Sequence, residues 1–255
     1  MSRLVHVSSA GVEIAAQHLA AARRVRRPGE RLPESCRPTD CDEALAIQRR
    51  VTEMIGETIG GWKCGVPVGE RINLAPISGA TIFAESPCPV FTEGPTMGIE
   101  PEVAFVLGRD LPERAEAYSE DEVRSAIAEM RLVLELLRGR YADLAAVSYE
   151  EKLADSMTNQ GLFVGPVVED GLARKLDAFP VTVNGEVHEG RHPAGHPLTP
   201  LYWLANYLAE TGGGLSRGQI VTCGSYCGVL ELPVGTPLRI EFGGLGVLFV
   251  ELIRA

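Results

Sequence analysis

Gly98-Ile99-Glu100-Pro101-Glu102-Val103-Ala104-Phe105-Val106-Leu107 sets two carboxylates at the mouth of an apolar run. Val103 to Leu107 is β-branched, aromatic and uncharged, the composition of a buried strand. Side chains alternate along a strand, so Glu100 and Glu102 share a face within a few residues' reach of each other. Two like charges held half out of water are costly unless something cancels them. A divalent cation would do so, and hard carboxylate oxygens suit magnesium or manganese. Glu135 is a third acid of this kind, interrupting the apolar run Leu132-Val133-Leu134-Glu135-Leu136-Leu137. Spacing alone leaves a second reading open: a solvated pair at a strand edge, with Glu135 paired to Arg131 or Arg138 at helical spacing.

N-terminal to this stretch the pattern is helical. Residues 9–25 are Ala-rich and end on basic residues that suit a helix C-terminus. Arg26 to Arg37, broken by Pro28 and Pro33, reads as a loop. Thr39 or Asp40 caps a second helix expected from Asp42 to Glu57 and ended by Gly60-Gly61. From Gly61 onward short apolar runs alternate with Gly and Pro. Thr81-Ile82-Phe83 and Pro89-Val90-Phe91 are brief strands, and Ser119-Glu120-Asp121-Glu122 is a capping box opening a helix to about Met130. Asp155 to Gly165 leads into apolar Leu162-Phe163-Val164. Pro180 to His188 is a hairpin turning at Asn184-Gly185, and Pro197 to Thr211 is helical. Gln219 to Thr222, Pro237 to Phe242 and Val247 to Ile253 are strands. A sheet-rich second half with few helices predicts an α+β roll or sandwich, and not a doubly wound sheet. Residues 1–255 read as one domain, a helical region to about 60 followed by a β-rich core from about 61.

Composition narrows the function classes. With 255 residues, 45% hydrophobic and 23% charged, the chain can bury a sizeable core. A formal net charge of −10 excludes the basic footprint of nonspecific nucleic-acid binding. No apolar run reaches membrane-spanning length, and Glu13, Gln17 and His18 break the N-terminal apolar stretch, so a cytoplasmic protein is expected. The six cysteines lack zinc-knuckle spacing and read as reduced thiols. No dinucleotide fingerprint, phosphate loop or nucleophile elbow is present. His188, His192 and His196 are four apart, but Gly190, Pro193 and Gly195 forbid the helix that would align them on a metal. Lys63, between Trp62 and Cys64 with glycines close by, is either a carboxylate anchor and acid–base group or a snorkelling lysine at a strand edge.

Taken together, several blocks resemble the 2-keto-4-pentenoate hydratase / 4-oxalocrotonate decarboxylase branch of the fumarylacetoacetate hydrolase superfamily. Ala44-Leu45-Ala46-Ile47-Gln48 and Gly61-Trp62-Lys63-Cys64-Gly65 resemble its opening motifs. Glu100-Pro101-Glu102-Val103-Ala104-Phe105-Val106-Leu107 resembles its metal strand, and Leu134-Glu135 with Arg140 resembles the segment carrying its third ligand. Asp155 to Gly165, Asn206, Gly218 to Ser225 and Phe242 to Gly246 complete a match over about residues 40–255.

The resemblance implies a fumarylacetoacetate-hydrolase-like mixed β-roll with Mg2+ or Mn2+ held by Glu100, Glu102 and Glu135. It implies Lys63 and Asp155 in catalysis, and Arg140, Thr158 and Ser225 against the substrate. The implied substrate is a small anionic 2-oxo or 2-hydroxydienoic acid, and the implied reaction is hydration to a 4-hydroxy-2-oxo acid, as in aromatic catabolism. The alternatives are a decarboxylase or C–C hydrolase on the same scaffold, a metal-dependent oxo-acid binding protein, or a noncatalytic partner subunit. A homo-oligomer is implied as well, and with it an association with another enzyme of the same pathway. The chain departs from the pattern in three places. Pro76-Ile77-Ser78-Gly79 lacks the family's acid, Arg138-Gly139-Arg140 puts a base where the family has an acid, and Asp155-Ser156 replaces its Asp-Asn. The first departure leaves the proton-shuttling group open, and the second points to a more anionic substrate or an oligomer contact.

Overall fold

A computed structural model describes residues 8–255. Helix α1 (Ser9–Val25) starts where the Ser8 side chain accepts the Gly11 N–H, and α2 (Cys41–Ile55) starts where Asp40 accepts that of Glu43. These side chains satisfy backbone donors that a helix start otherwise leaves bare. The two helices pack on each other. The second ends at Gly56 in the left-handed region, not at Gly60-Gly61, which lie inside a strand.

Strands β1 (Ile59–Cys64), β2 (Leu74–Ser78), β3 (Ile82–Phe83), β4 (Cys88–Val90) and β5 (Thr96–Leu107) follow. Next come α3 (Glu120–Ser125), β6 (Ile127–Leu137), α4 (Tyr149–Ala154) and β7 (Asn159–Val167). The hairpin β8 (Val181–Val183) and β9 (Glu186–His188) precedes α5 (Leu198–Thr211). The chain closes with β10 (Ile220–Thr222), β11 (Leu230–Pro233), β12 (Pro237–Phe242) and β13 (Val247–Arg254). The helix expected to reach Met130 stops at Ser125, because from Ile127 the apolar residues pair with β5 as a strand. Its capping box forms as expected. Strands β2 and β11 went unread in the sequence, where their Pro and Glu residues mask the pattern.

The main sheet runs β2-β1-β10-β5-β6-β7-β3, with β11 also on β5. A single 3-10 turn, Gly79–Thr81, joins its two ends, since β2 leads directly into β3 on the far edge. The sheet therefore curls into a nearly closed α+β roll. Missing side chains permit that curvature. A Cβ on Gly60 would stand 2.7 Å from Gly79 Cα, and one on Gly61 would collide with the Ile220 carbonyl. A second sheet, β4-β13-β12-β8-β9, packs through β13 on β6 and β7.

The two faces of the roll differ. Ile99, Val103, Phe105 and Leu107 on the outer face of β5 join the large core shared with the helices and the second sheet. Ile77, Ala104, Val133, Leu162 and Ile220 make a small separate core inside the roll. Among the described residues, no helix is long and apolar enough to cross a membrane, and all six cysteines are free.

Candidate metal centre

Sheet register brings the acids together. Glu100 lies directly opposite Glu135 across β5 and β6, and Glu102 follows Glu100 on the same face. Lys63 joins them from two strands away, because β10 pairs Thr222 with Lys63 on one side and with Ala104 on the other. The inner apolar core continues this face, so a dry floor underlies the acids. One carboxylate oxygen from each of Glu100, Glu102 and Glu135 falls within 4.8 Å of the others. Among the described residues this is the one group of three or more acids, histidines or cysteines placed to share an ion, and it excludes the three histidines. His192 instead packs against Tyr226, its Nε2 3.1 Å from the Cys223 carbonyl.

Each acid is held by its own partners. Glu135 Oε1 takes Lys63 Nζ at 2.7 Å and Asn159 Nδ2 at 2.9 Å. Glu135 Oε2 is buried with no partner. Glu102 Oε2 accepts the Thr222 hydroxyl and, at 2.8 Å, the Gly224 N–H. The alternative pairing of Glu135 with neighbouring arginines is not what forms. Arg131 goes to Glu129 at 2.6 Å and Arg138 to Glu93 at 3.5 Å.

The electrostatics are those of a crowded anionic site. Burial, and then the Glu135 charge, push Glu100 up to about 7. The same two causes, joined by Glu100, push Glu102 up to about 8 against the lowering effect of Thr222 and Gly224. Burial opposes the charge on Lys63, yet Glu135, Glu100 and Glu102 together hold its ammonium above the usual range. One ammonium does not balance three carboxylates. An orphaned carboxylate oxygen, oxygen-only donors and excess negative charge in a dry setting all fit a hard divalent cation held by Glu100, Glu102 and Glu135.

The remaining expected residues lie around this centre. Asp155 is fully buried and held by two arginines. Its Oδ2 accepts the Arg140 N–H at 2.7 Å, with Arg140 Nη1 3.5 Å and Arg23 Nη2 3.8 Å from Oδ1. Burial raises Asp155 and the two guanidiniums counter it. Arg140 also donates to the Asn159 carbonyl, so it bears on the centre through the residue that holds Glu135. Thr158 closes the run Ser156-Met157-Thr158, three consecutive non-glycine residues with φ of 55°, 49° and 66°. Such backbone persists where its surroundings over-determine it. Ser225 bonds the Pro101 and Gly228 carbonyls, next to Gly224. Ile77 is fully buried in the floor, so this position offers no acid to the centre. Sequence reasoning passed over Thr222, Asn159 and the Gly224 amide. The first two were visible as polar residues beginning or ending apolar strands.

At the Gly98 end of β5, beyond the acids along the strand, is a cleft of about 580 Å³. Gly98, Leu137, Thr158, Val229 and Arg138 are among the residues lining it.

No family model matches the chain. It is 26% identical over 260 residues to 2-keto-4-pentenoate hydratase of Paraburkholderia xenovorans, covering 94% of each chain. It is 25% identical over 233 residues to 2-oxo-hept-4-ene-1,7-dioate hydratase of Escherichia coli, covering 83% of this chain and 86% of that one. Among solved structures, 4-oxalocrotonate decarboxylase from Pseudomonas putida G7, complexed with magnesium and adipate, matches with a TM-score of 0.80 at 20% identity, covering 99% of this chain and 100% of that chain. A yeast fumarylacetoacetate hydrolase family protein matches with a TM-score of 0.55 at 17% identity, over 76% of this chain and 92% of that one. The structural matches show the fold.

Proposed function

We infer that this chain, which belongs to the 2-keto-4-pentenoate hydratase / 4-oxalocrotonate decarboxylase family of the fumarylacetoacetate hydrolase superfamily, is a hydro-lyase that adds water to a 2-hydroxy-2,4-dienoate. The observation that carries the reading is the buried, unpartnered Glu135 Oε2 within a three-acid cluster. Glu100, Glu102 and Glu135 would hold Mg2+ or Mn2+. When bound, the ion supplies Lewis-acid polarisation at the substrate's C1 carboxylate and C2 oxygen and stabilises the charge that develops there.

The protein's own groups do the rest. Thr222 and the Gly224 amide fix Glu102, while Asn159 and Lys63 fix Glu135. Such outer partners orient ligands and set their basicity. Ala104, Val133, Leu162, Ile77 and Ile220 keep water from below. Lys63 keeps a proton on Nζ beside the reacting chain. As the 2-hydroxyl loses its proton, C5 gains one. Water then adds across the C3–C4 double bond, oxygen to C4 and hydrogen to C3. Lys63 Nζ is the proton-bearing group placed to serve these transfers. The six free cysteines suit a reducing compartment such as the cytoplasm. A homo-oligomer working beside another enzyme of the same route belongs to the same reading.

Ile77 favours a second reading, a metal-dependent oxo-acid binder or noncatalytic subunit, since it leaves the floor without an acid. Turnover separates the two. 2-Hydroxypenta-2,4-dienoate should lose its ultraviolet absorbance with Mg2+ and not with EDTA, and Glu102→Gln should abolish the loss in a folded protein. Metal binding without turnover would favour the binder.

A further inference from the structure

Beside the cleft at the Gly98 end of β5 lies a second cavity of about 330 Å³, where the C-terminal end of α1 meets the seam between β2 and β7. Arg23, Arg24, Arg26, Arg27, Arg138 and Arg140 line it, with Glu57 the one lining acid among the described residues. Asp155 and Glu93 offset two of these charges from the sides. Three positive charges still stand uncompensated in a protein whose formal net charge is −10. The helix dipole accounts for Arg23 and Arg24 in the last turn of α1. It does not account for Arg138 and Arg140, which arrive from the far end of β6.

Arg23 Nη2 donates to Ser156 Oγ at 2.7 Å, but not every guanidinium donor in the cavity finds an acceptor. Arg23 Nε is buried without a partner, and burial together with the neighbouring Arg140 lowers Arg23 to about 9. Arg24 donates to the Met54 carbonyl and Arg26 lies over the Phe91 ring. Among the described residues, Arg24, Arg26 and Arg27 have no carboxylate within ion-pair distance. The cavity adjoins the cleft at the Gly98 end of β5, and Arg138, Gly139 and Pro28 line both. Its wall includes Asn159, which holds Glu135.

We propose that this arginine cavity receives the second carboxylate of the substrate, making the preferred substrate a dicarboxylic 2-hydroxydienoate anchored by one carboxylate at the three-acid centre and by the other among Arg23, Arg27 and Arg138. The planar guanidinium fork matches a carboxylate bidentately, and here the fork is already in place and partly dehydrated. This assignment rests on the hydratase reading for the first anchor. The arginine lining and the buried, unpartnered Arg23 Nε do not depend on that reading.

Two measurements test the assignment. The first compares kcat/KM for 2-hydroxyhepta-2,4-diene-1,7-dioate and 2-hydroxypenta-2,4-dienoate with Mg2+. The dioate should be preferred, and Arg23→Gln or the more exposed Arg27→Gln should lower the preference about tenfold, the worth of a charge-assisted hydrogen bond. The second is calorimetric titration of the metal-loaded protein with adipate, hexanoate and sulfate. Adipate should bind about tenfold more tightly than hexanoate, and either variant should erase the difference. Arginine-dependent adipate binding without turnover of either dienoate would keep the cavity and overturn the hydratase. Monoacid turnover with no dioate preference in wild type, or a preference that both variants retain, would overturn the cavity assignment and keep the hydratase. Sulfate binding that does not compete with adipate would overturn it too, giving the arginines to a separate anion.

Discussion

Replacing a ligand should make the metal-free protein more stable, and the pH dependence of the gain identifies its cause. Glu102 is 1% exposed and is held near 8 against an ordinary value of 4.5. A carboxyl raised on folding costs nothing below pH 4.5, where both states are protonated. The cost grows as pH climbs toward 8 and levels off above it, because the unfolded chain ionises first. One pKa unit is worth about 1.4 kcal/mol, so the full cost at pH 8 is roughly 4 kcal/mol, and less where Glu100 carries part of the repulsion. Glu102→Gln keeps an amide oxygen to accept Thr222 and the Gly224 N–H while removing the charge. In EDTA the variant should match wild type near pH 4.5 and exceed it at pH 8. At an m-value of about 3 kcal/mol/M the urea midpoint would rise by roughly 1 M. Saturating Mg2+ should reverse the order, since wild type alone gains binding free energy. Equal midpoints for the two proteins at both pH values in EDTA would refute the picture of a desolvated, mutually repelling cluster.

Lys63→Met leaves three carboxylates without their ammonium. It should destabilise the metal-free protein by about 3–5 kcal/mol in urea unfolding, as broken buried pairs do, and depress kcat more than metal affinity. Asn159→Leu removes one of the two donors on Glu135 Oε1 and should weaken Mg2+ binding roughly 10–100-fold by calorimetry with the circular dichroism spectrum unchanged. Gly61→Ala drives a methyl into the Ile220 carbonyl. It should cost about 1–3 kcal/mol, read as a lower thermal midpoint.

The strands that carry the acids were legible because Glu100, Glu102 and Glu135 each break an otherwise apolar pattern, and alternation fixes which side chains share a face. What joins them was not legible. That Glu100 faces Glu135, and that Lys63 lies one strand beyond Thr222, are facts of register between distant segments, and no local pattern encodes register. Asp155 shows the same limit: its motif was legible, but its pairing with Arg23 and Arg140 was not. The second helix was extended too far because Gly60-Gly61 read as a terminator, whereas Gly56 already supplies the left-handed end and the later pair serves the curvature of the roll. The arginines after α1 read only as a favourable helix end, since nothing local places Arg138 and Arg140 opposite them.

The curvature and the chemistry have a common origin. Gly60 and Gly61 let β1 press against the Gly79 turn and β10, which closes the sheet over an interior filled by apolar side chains. The same closure places Ala104, Val133 and Leu162 beneath the acids and strips their hydration. A flatter sheet would leave Glu100 and Glu102 solvated, near 4.5, and free to ionise without a counter-charge. The roll makes them expensive anions, and an expensive anion cluster is one whose energy falls when a cation enters. Gly61→Ala, which resists closure, should therefore lower Mg2+ affinity along with stability, although residue 61 contributes no ligand. A variant that lost stability while binding Mg2+ as tightly as wild type would separate the two and show that the acids owe their raised pKa values to one another alone.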